Sequence, residues 1–243
     1  MQTTGKACSH LDYYKSVKRF CNWMVEEDIL PVSPMTKIKA PRIPEPIIRP
    51  LTEDHIETLL EICPAETFIG SRNRAMFLVF LQTGLRLSEL AAIMLDDVNV
   101  EEMTITVMGK GAKERKVALS RTTLKAMVHY LSMRDDKYKC LWVSISRKPM
   151  TVDGIGQIFK KTLKERSGIT DVRVSAHTIR HTFATMLLTN GAAEGSLQTL
   201  LGHSTQKMTR HYTATVRQQV ALDAGRKFSP VEYLQKGHQK RGV

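Results

Sequence analysis

Six polar side chains, widely separated along the chain, have the types needed to break and rejoin a phosphodiester. Two arginines could hold the non-bridging oxygens of one phosphate and stabilise the charge of its transition state. Two histidines could hold or move protons near neutral pH, a lysine could protonate a leaving alkoxide, and a tyrosine could attack phosphorus. In chain order the set is Arg86, Lys110, His177, Arg180, His203 and Tyr212. No Asp/Glu cluster with metal-ligand spacing accompanies them, so the set implies phosphoryl transfer with neither a metal nor another cofactor.

The arginine and lysine motifs each have a plain structural alternative when taken alone. Arg86, within TGLRLSEL, could pair with Glu89 across one turn as a salt bridge at the start of a helix. Lys110, within GKGAKER, could be an ordinary solvated lysine, and Lys113 and Lys116 compete with it for the same role. The order of the whole set, rather than any one motif, favours a shared site.

The histidines and the tyrosine also leave alternatives open. His177 and Arg180 are three residues apart and would share one face of a helix, which His181 could join. A His-x3-His pair on a helix can bind zinc, but the glutamate of HExxH is missing and Arg180 would place a positive charge beside the metal. Tyr212, nine residues after His203, could simply be a core or surface aromatic.

The elements that must position these residues are mostly helices. Apolar periodicity and turn residues predict a fold that is mainly α with a small antiparallel β-sheet, an α+β fold. Helices are predicted within 13–30, from a Thr52 cap, and over 72–82, 87–94, 151–166, 176–190, 194–201 and 205–213, with one more from a Ser120 cap to about 133. Short strands are predicted at 103–108, 115–119 and 141–143, with Gly109-Lys110-Gly111 as a turn. The proline-rich stretch 41–50 predicts an extended linker.

The overall composition restricts the partners and the compartment. The chain of 243 residues has a formal net charge of +12 and a pI of about 9.6, which favours a polyanion such as nucleic acid. No apolar run approaches the ~20 residues of a membrane span, and no secretory signal opens the sequence. The four cysteines are scattered, without zinc-finger spacing, which is typical of thiols in a reducing cytoplasm.

Taken in order, the motifs resemble the active-site set of the tyrosine recombinases, which include phage integrases and Xer-type resolvases. The resemblance rests on TGLRLSEL, GKGAKER, SAHTIRHTFAT, LLGH and the tyrosine nine residues later, and it covers about residues 50–213. It implies a tyrosine recombinase catalytic-domain fold with a partial helical N-terminal domain. The expected domains are a partial core-binding domain that clamps DNA (1–40), the linker (41–50), a catalytic domain (51–214) and a C-terminal tail (215–243).

The resemblance also implies a role for each side chain. Tyr212 would attack a DNA phosphate to give a 3′-phosphotyrosyl link, with Arg86 and Arg180 holding that phosphate. Lys110 would protonate the departing 5′ oxygen. His177 would act as acid or base, and His203 would hydrogen-bond the phosphate. The covalent link would store the bond energy, so neither ATP nor a metal would be required.

The same resemblance implies partners and a location, while the residues themselves leave two other functions open. The expected partner is double-stranded DNA, on which the protein would form dimers or tetramers, and the expected location is cytoplasmic, at the nucleoid. The tail would pack into a neighbouring protomer through Phe228, Val231 and Leu234, or alternatively fold back on its own domain. Two other hypotheses compete: a DNA-binding regulator without chemistry, built on the helices at 194–201 and 205–213, and a metal-dependent nuclease using His177 and His181.

Overall fold

The computed structural model describes residues 4–41, 48–109 and 114–202. The chain divides into two compact units, Met1–Ile47 and Ile48–Val243. Of the regions predicted above, most of the proline-rich linker, the helix at 205–213 and the tail with Phe228, Val231 and Leu234 lie outside the described residues. In the part of the chain that is described, no helix is both long and apolar enough to cross a membrane.

The first unit is built on one long helix, α1 (Thr4–Glu26). The helix predicted within 13–30 is confirmed, but it ends at Glu26. Asp28 adopts a positive φ of 58°, a left-handed conformation that aspartate tolerates and that a helix does not continue through. The Tyr14 hydroxyl then donates to the Ile38 carbonyl at 2.8 Å, which ties the following chain back to the helix.

The second unit is mostly helical around a small sheet, as the sequence predicts. Its helices are α2 (Glu53–Glu61), α3 (Phe68–Thr83), α4 (Leu87–Ala91), α5 (Arg121–Ser132), α6 (Val152–Gln157), α7 (Lys164–Ser167), α8 (Ala176–Thr189) and α9 (Glu194–Leu201). A 3-10 turn at Leu95–Asp97 follows α4, and a π-helical segment at Ile158–Leu163 joins α6 to α7. The helix expected over 151–166 is therefore present but not uniformly α-helical, and the one expected over 87–94 ends three residues early.

Hydroxyl caps set where five of these helices begin. In each, a Ser or Thr in extended conformation accepts a hydrogen bond from the backbone amide three residues later, satisfying a donor that has no partner within the helix. The five caps are Thr52, Thr67, Ser120, Thr151 and Ser175. The caps predicted at Thr52 and Ser120 are confirmed, whereas Thr67 starts α3 four residues earlier than predicted.

The sheet has three antiparallel strands in the order β1 (Val98–Asn99), β2 (Thr104–Met108) and β3 (Glu114–Ala118). The hairpin of β2 and β3 is confirmed, with Val107 opposite Arg115 and Met108 opposite Glu114. Its connecting residues 110–113 lie outside the described part of the chain.

The third strand predicted at 141–143 is wrong. Val143 makes an isolated bridge with Pro149, and Cys140, just before the segment, makes one with Met94. Single backbone bonds accompany these bridges, from the Leu141 amide to the residue 93 carbonyl and from the residue 150 amide to the residue 142 carbonyl. Side chains take other backbone groups: the Arg134 guanidinium donates to the carbonyls of residues 140 and 141, and the amide of Val143 donates to the Tyr130 hydroxyl. The buried apolar run therefore pairs at single positions and does not form a strand.

The core is organised around α3, which is buried on nearly every side and packs against α5 and α8. Aromatic rings hold this core to the π-helical segment, with Phe80 and Phe159 centroids 5.2 Å apart. A second, smaller apolar cluster joins α8 to α9 through Phe183, Ala184, Leu188, Leu197 and Leu201. The end of α9 is thereby held beside α8 and the end of α3.

Gly84 is the point where the core around α3 meets the smaller apolar cluster of α8 and α9. It ends α3 in the left-handed conformation, with φ of 58°, and a Cβ placed there would lie 2.1 Å from the Phe183 ring. No larger residue fits without moving the chain or the ring.

We predict that Gly84→Ala lowers the free energy of unfolding by about 3 kcal/mol, from left-handed backbone strain and overpacking together. The matched control is Gly168→Ala, where φ is 68° but nothing lies within 4 Å of the added Cβ, so only the backbone penalty of about 1 kcal/mol applies. Urea unfolding followed by circular dichroism measures both. Equal losses at the two positions would contradict the proposed close approach of Phe183.

Candidate active site

The first arginine of the predicted set lies at the corner between α3 and α4. Arg86 is the N-cap residue of α4, immediately after the Gly84–Leu85 turn. Its backbone amide donates to Glu89 Oε2 at 2.8 Å, and its Nη1 donates to Glu89 Oε1 at 2.8 Å. The salt bridge considered as the structural alternative is therefore present. Arg86 nevertheless also reaches the Gly202 carbonyl, 116 residues away, through Nη2 at 3.3 Å. The salt bridge therefore orients the side chain but does not use all of the N–H donors of its guanidinium.

A second arginine, Arg115 of β3, shares the same carboxylate and was not predicted. Its Nη1 and Nη2 donate to Glu89 Oε1 and Oε2 at 3.1 and 2.7 Å, a bidentate pair. Its Nε donates to the Leu200 carbonyl at 3.0 Å. One signal in the sequence could have found it, since Arg115 lies two residues before buried Val117 and so shares the inward face of the strand.

The other predicted arginine, Arg180, extends from the middle of α8 and is buried. Its Nη1 donates to the Gly84 carbonyl at 2.6 Å and its Nη2 to the Leu201 carbonyl at 3.0 Å. It thus touches both the end of α3, two residues before Arg86, and the end of α9. Only 6% of the residue is exposed.

Three arginines therefore bind three consecutive carbonyls at the end of α9. The Leu200, Leu201 and Gly202 oxygens accept from Arg115, Arg180 and Arg86, respectively. The last carbonyls of a helix have no partners within it and carry partial negative charge, so cationic donors suit them. Because the Cα atoms of consecutive residues lie only 3.8 Å apart, the two predicted arginines, Arg86 and Arg180, are brought close together. Gly202, whose carbonyl binds Arg86, directly precedes residue 203 in the sequence.

Glu89 is the buried anion that balances this cationic cluster. Its side chain is 5% exposed and pairs with both Arg86 and Arg115. Burial by itself raises the pKa of this carboxyl, but the hydrogen bonds and charges of Arg115 and Arg86 together outweigh burial and hold the pKa at about 2 instead of 4.5. Glu89 therefore remains ionised throughout the neutral range.

The two neighbouring histidines have different surroundings. His177 is exposed in the first turn of α8, three residues before Arg180, whereas His181 is completely buried. They do not form a common solvent-facing pair of the kind that the zinc alternative requires. Within residues 4–41, 48–109 and 114–202, no group of three or more His, Cys, Asp or Glu side chains is placed to hold a metal ion.

The other three predicted site residues, Lys110, His203 and Tyr212, lie outside the described residues. The structure thus brings Arg86 and Arg180 together and places His177 on the helix that carries Arg180. The cluster also includes Arg115 of β3 and the Gly202 carbonyl, at the C-cap of α9.

Comparison with known proteins decides the family. The sequence profile described as the phage integrase family matches residues 49–219, which includes all six predicted site residues. The chain belongs to the phage integrase family. The predicted fold, that of a tyrosine recombinase catalytic domain, is confirmed. The predicted enzyme class, a tyrosine-type site-specific DNA recombinase, is confirmed as well.

Curated relatives and solved structures agree with that assignment. The recombinase is 32% identical to tyrosine recombinase XerD of Listeria innocua over 225 residues, which cover 90% of this chain and 75% of the relative. It is 31% identical to tyrosine recombinase XerC of Myxococcus xanthus over 214 residues, or 84% and 71% of the two chains. Among solved structures, XerA recombinase matches with 30% identity and a TM-score of 0.65 over 77% of this chain and 68% of that one. The Tn1549 transposon integrase, solved with a circular intermediate DNA, shares the fold at 21% identity and a TM-score of 0.69, over 83% and 73% of the chains.

The depressed pKa of Glu89 makes a prediction about acid stability. Its ionised form stabilises the fold fully above pH 4.5, and this contribution is lost as the pH falls from 4.5 towards 2. We predict that Glu89→Gln is less stable than the wild type at pH 7 and that the gap in melting temperature narrows between pH 4.5 and 2. The control is Glu102→Gln, which removes an exposed surface ion pair with Lys116 and should differ little from the wild type. A gap independent of pH would contradict the assignment of the buried charge to Glu89.

Proposed function

We propose that this recombinase cleaves and rejoins duplex DNA through a covalent 3′-phosphotyrosyl bond to Tyr212. The observation that carries the proposal is the convergence of Arg86 and Arg180 on adjacent carbonyls of the α9 end, directly before the segment that holds His203 and Tyr212. Membership of the phage integrase family supports the same assignment for all six residues.

The two arginines are proposed to bind the scissile phosphate. A guanidinium has five N–H donors in a rigid fork, and two of those of Arg86 are used by Glu89 and Gly202. The Arg86 side chain is 31% exposed, whereas Arg180 is held from behind by the Gly84 and Leu201 carbonyls. Together they would neutralise the non-bridging oxygens and the additional charge of the transition state.

The proposed chemistry consists of one exchange of phosphorus–oxygen bonds that is later reversed. The Tyr212 phenol oxygen forms a bond to phosphorus while the bond to the 5′ oxygen breaks, and Lys110 gives the leaving oxygen its proton. His177 accepts the phenol proton as Tyr212 attacks and returns it when Tyr212 is released, and His203 donates a hydrogen bond to the phosphate. The 5′-hydroxyl of a second strand then attacks the phosphotyrosine and releases Tyr212. The number of phosphoester bonds is conserved, so neither ATP nor a metal is required.

The domain roles follow from the same proposal. Residues 51–214 would form the catalytic domain and residues 215–243 a tail exchanged between protomers of a DNA-bound dimer or tetramer. The first unit would help to clamp DNA, since α1 carries Lys15, Lys18 and Arg19 beside the exposed ring of Trp23, a combination suited to a phosphate backbone. A purely DNA-binding regulator is not favoured, because it needs neither the arginine cluster nor a tyrosine nucleophile.

A suicide substrate tests the chemistry. The probe is a nicked duplex carrying a site that the protein itself selects from a pool of randomised DNA, incubated in EDTA. We predict that the wild type forms a covalent protein–DNA adduct, that Tyr212→Phe forms none while binding the same DNA, and that Arg180→Gln loses at least about 100-fold in adduct rate. The control is Tyr138→Phe, an exposed tyrosine. Cleavage that requires added metal, or an adduct that persists in Tyr212→Phe, would overturn the proposal.

A deletion tests the tail. We predict that removing residues 226–243 reduces assembly of dimers and tetramers on DNA more than it reduces the affinity of a single protomer, because the apolar anchors Phe228, Val231 and Leu234 are lost. Deleting only residues 236–243 is the control, since it leaves the anchors in place. Sedimentation of the protein–DNA complex measures assembly, and a mobility shift at limiting protein measures affinity. Unchanged assembly after the longer deletion would refute the exchange of the tail.

A further inference from the structure

Arg115 connects two parts of the candidate active site, α4 and the end of α9. Its guanidinium is bidentate on Glu89, the carboxylate that orients Arg86, and its Nε holds the Leu200 carbonyl at the end of α9. We propose that Arg115 is a positioning residue that aligns Arg86 and the end of α9, up to Gly202, for strand cleavage. The proposal rests on the proposed function and adds a residue outside the six-residue set.

The position of Arg115 on β3 explains why its side chain reaches inward. The strand alternates, with Glu114 and Lys116 exposed and Arg115 and Val117 on the inner face. The Arg115 side chain is only 12% exposed, and an arginine so enclosed is stable only when its donors are satisfied. All three of its nitrogens have acceptors, on α4 and at the end of α9.

The carboxylate of Glu89 needs Arg115 as well as Arg86. A buried charge stripped of one partner is left uncompensated, which costs more than the pair itself contributes. Without Arg115, Glu89 retains the single ion pair with Arg86, whose side chain is partly solvated and long enough to adopt other rotamers. The guanidinium of Arg86 would then no longer be held in one orientation.

The end of α9 is shaped around the Arg115 side chain. Gly202 ends the helix with φ of 61°, and a Cβ at this residue would lie 3.0 Å from Arg115 Nη1 and 3.2 Å from its Cζ. The Gly202 backbone therefore lies close beside the Arg115 guanidinium. Arg115 thus fixes the last turn of α9 twice, by its bond to the Leu200 carbonyl and by its close approach to Gly202.

A purely stabilising salt bridge and a positioning residue make different predictions. The first lowers stability and leaves the chemistry of the folded fraction unchanged. The second lowers the rate of the chemical step at saturating DNA while DNA affinity is retained, because a misplacement of about 1 Å at a catalytic group can cost about 100-fold in rate.

The experiment compares Arg115→Lys with Lys116→Met in the full chain. Lysine keeps the charge but cannot hold both carboxylate oxygens and the Leu200 carbonyl at once. Lys116 is the adjacent residue on the opposite, exposed face of β3, where it pairs with Glu102. The measurements are the single-turnover rate of adduct formation on the nicked duplex, the affinity for the same duplex, and the hydrogen exchange of the backbone amides in 197–202.

We expect Arg115→Lys to form adduct about 100-fold more slowly, with near wild-type affinity and faster exchange at 197–202, and Lys116→Met to match the wild type in all three. A rate close to wild type in Arg115→Lys, a loss that is explained by affinity alone, or unchanged exchange would overturn the proposal. If the wild type itself forms no adduct, the proposed function fails, while the exchange measurement still decides whether Arg115 holds the end of α9. If Arg115→Lys does not fold, Arg115→Gln, which leaves Glu89 and its pair with Arg86 in place, is measured instead and should give the same result.

Discussion

The structure of the candidate active site depends on one buried carboxylate, that of Glu89, placed between two guanidinium groups. Its negative charge offsets the electrostatic cost of partly burying Arg86 and Arg115. Their hydrogen bonds in turn hold the pKa of Glu89 at about 2 despite burial. Through this carboxylate the corner between α3 and α4 is joined to the hairpin strand β3. Two elements that are distant in sequence thus keep one relative geometry.

The second part of the cluster is the C-terminal end of α9, which presents three consecutive carbonyls to three arginines. These contacts hold the guanidinium groups in one arrangement, so little side-chain ordering would be left for the proposed reaction itself. In that proposal a phosphate oxygen, which carries more negative charge than a carbonyl, would make the stronger charge-assisted hydrogen bond. The same contacts place Gly202, the residue before His203 in the sequence, in the arginine cluster.

The packing of the second unit explains why the site forms where it does. The large core around α3 ends at Gly84, where the Phe183 ring of α8 takes the space of a side chain. The small cluster shared by α8 and α9 begins at that same ring. Arg180 lies on α8 at this junction and bonds to the Gly84 and Leu201 carbonyls, which belong to the two sides. The candidate site is therefore located where two apolar clusters meet, and the Arg180 guanidinium and its carbonyl partners lie between them.

The sequence by itself determined the elements and the identity of the chemical groups. Local signals marked the elements: hydroxyl caps such as Thr52 and Ser120, the glycine at 84, and the alternation along β2 and β3. The set from Arg86 to Tyr212 is distinctive because its residue types occur in a fixed order along the chain. Only the tertiary structure decided which groups meet, because contacts between residues about 100 positions apart, such as Arg180 with Gly84, leave no local pattern. A similar reason explains the missed Arg115, whose partner Glu89 precedes it by 26 residues. The failed strand at 141–143 has a different cause: Arg134 and Tyr130, which are near in sequence, bond to its backbone, and an apolar pattern does not reveal such bonds.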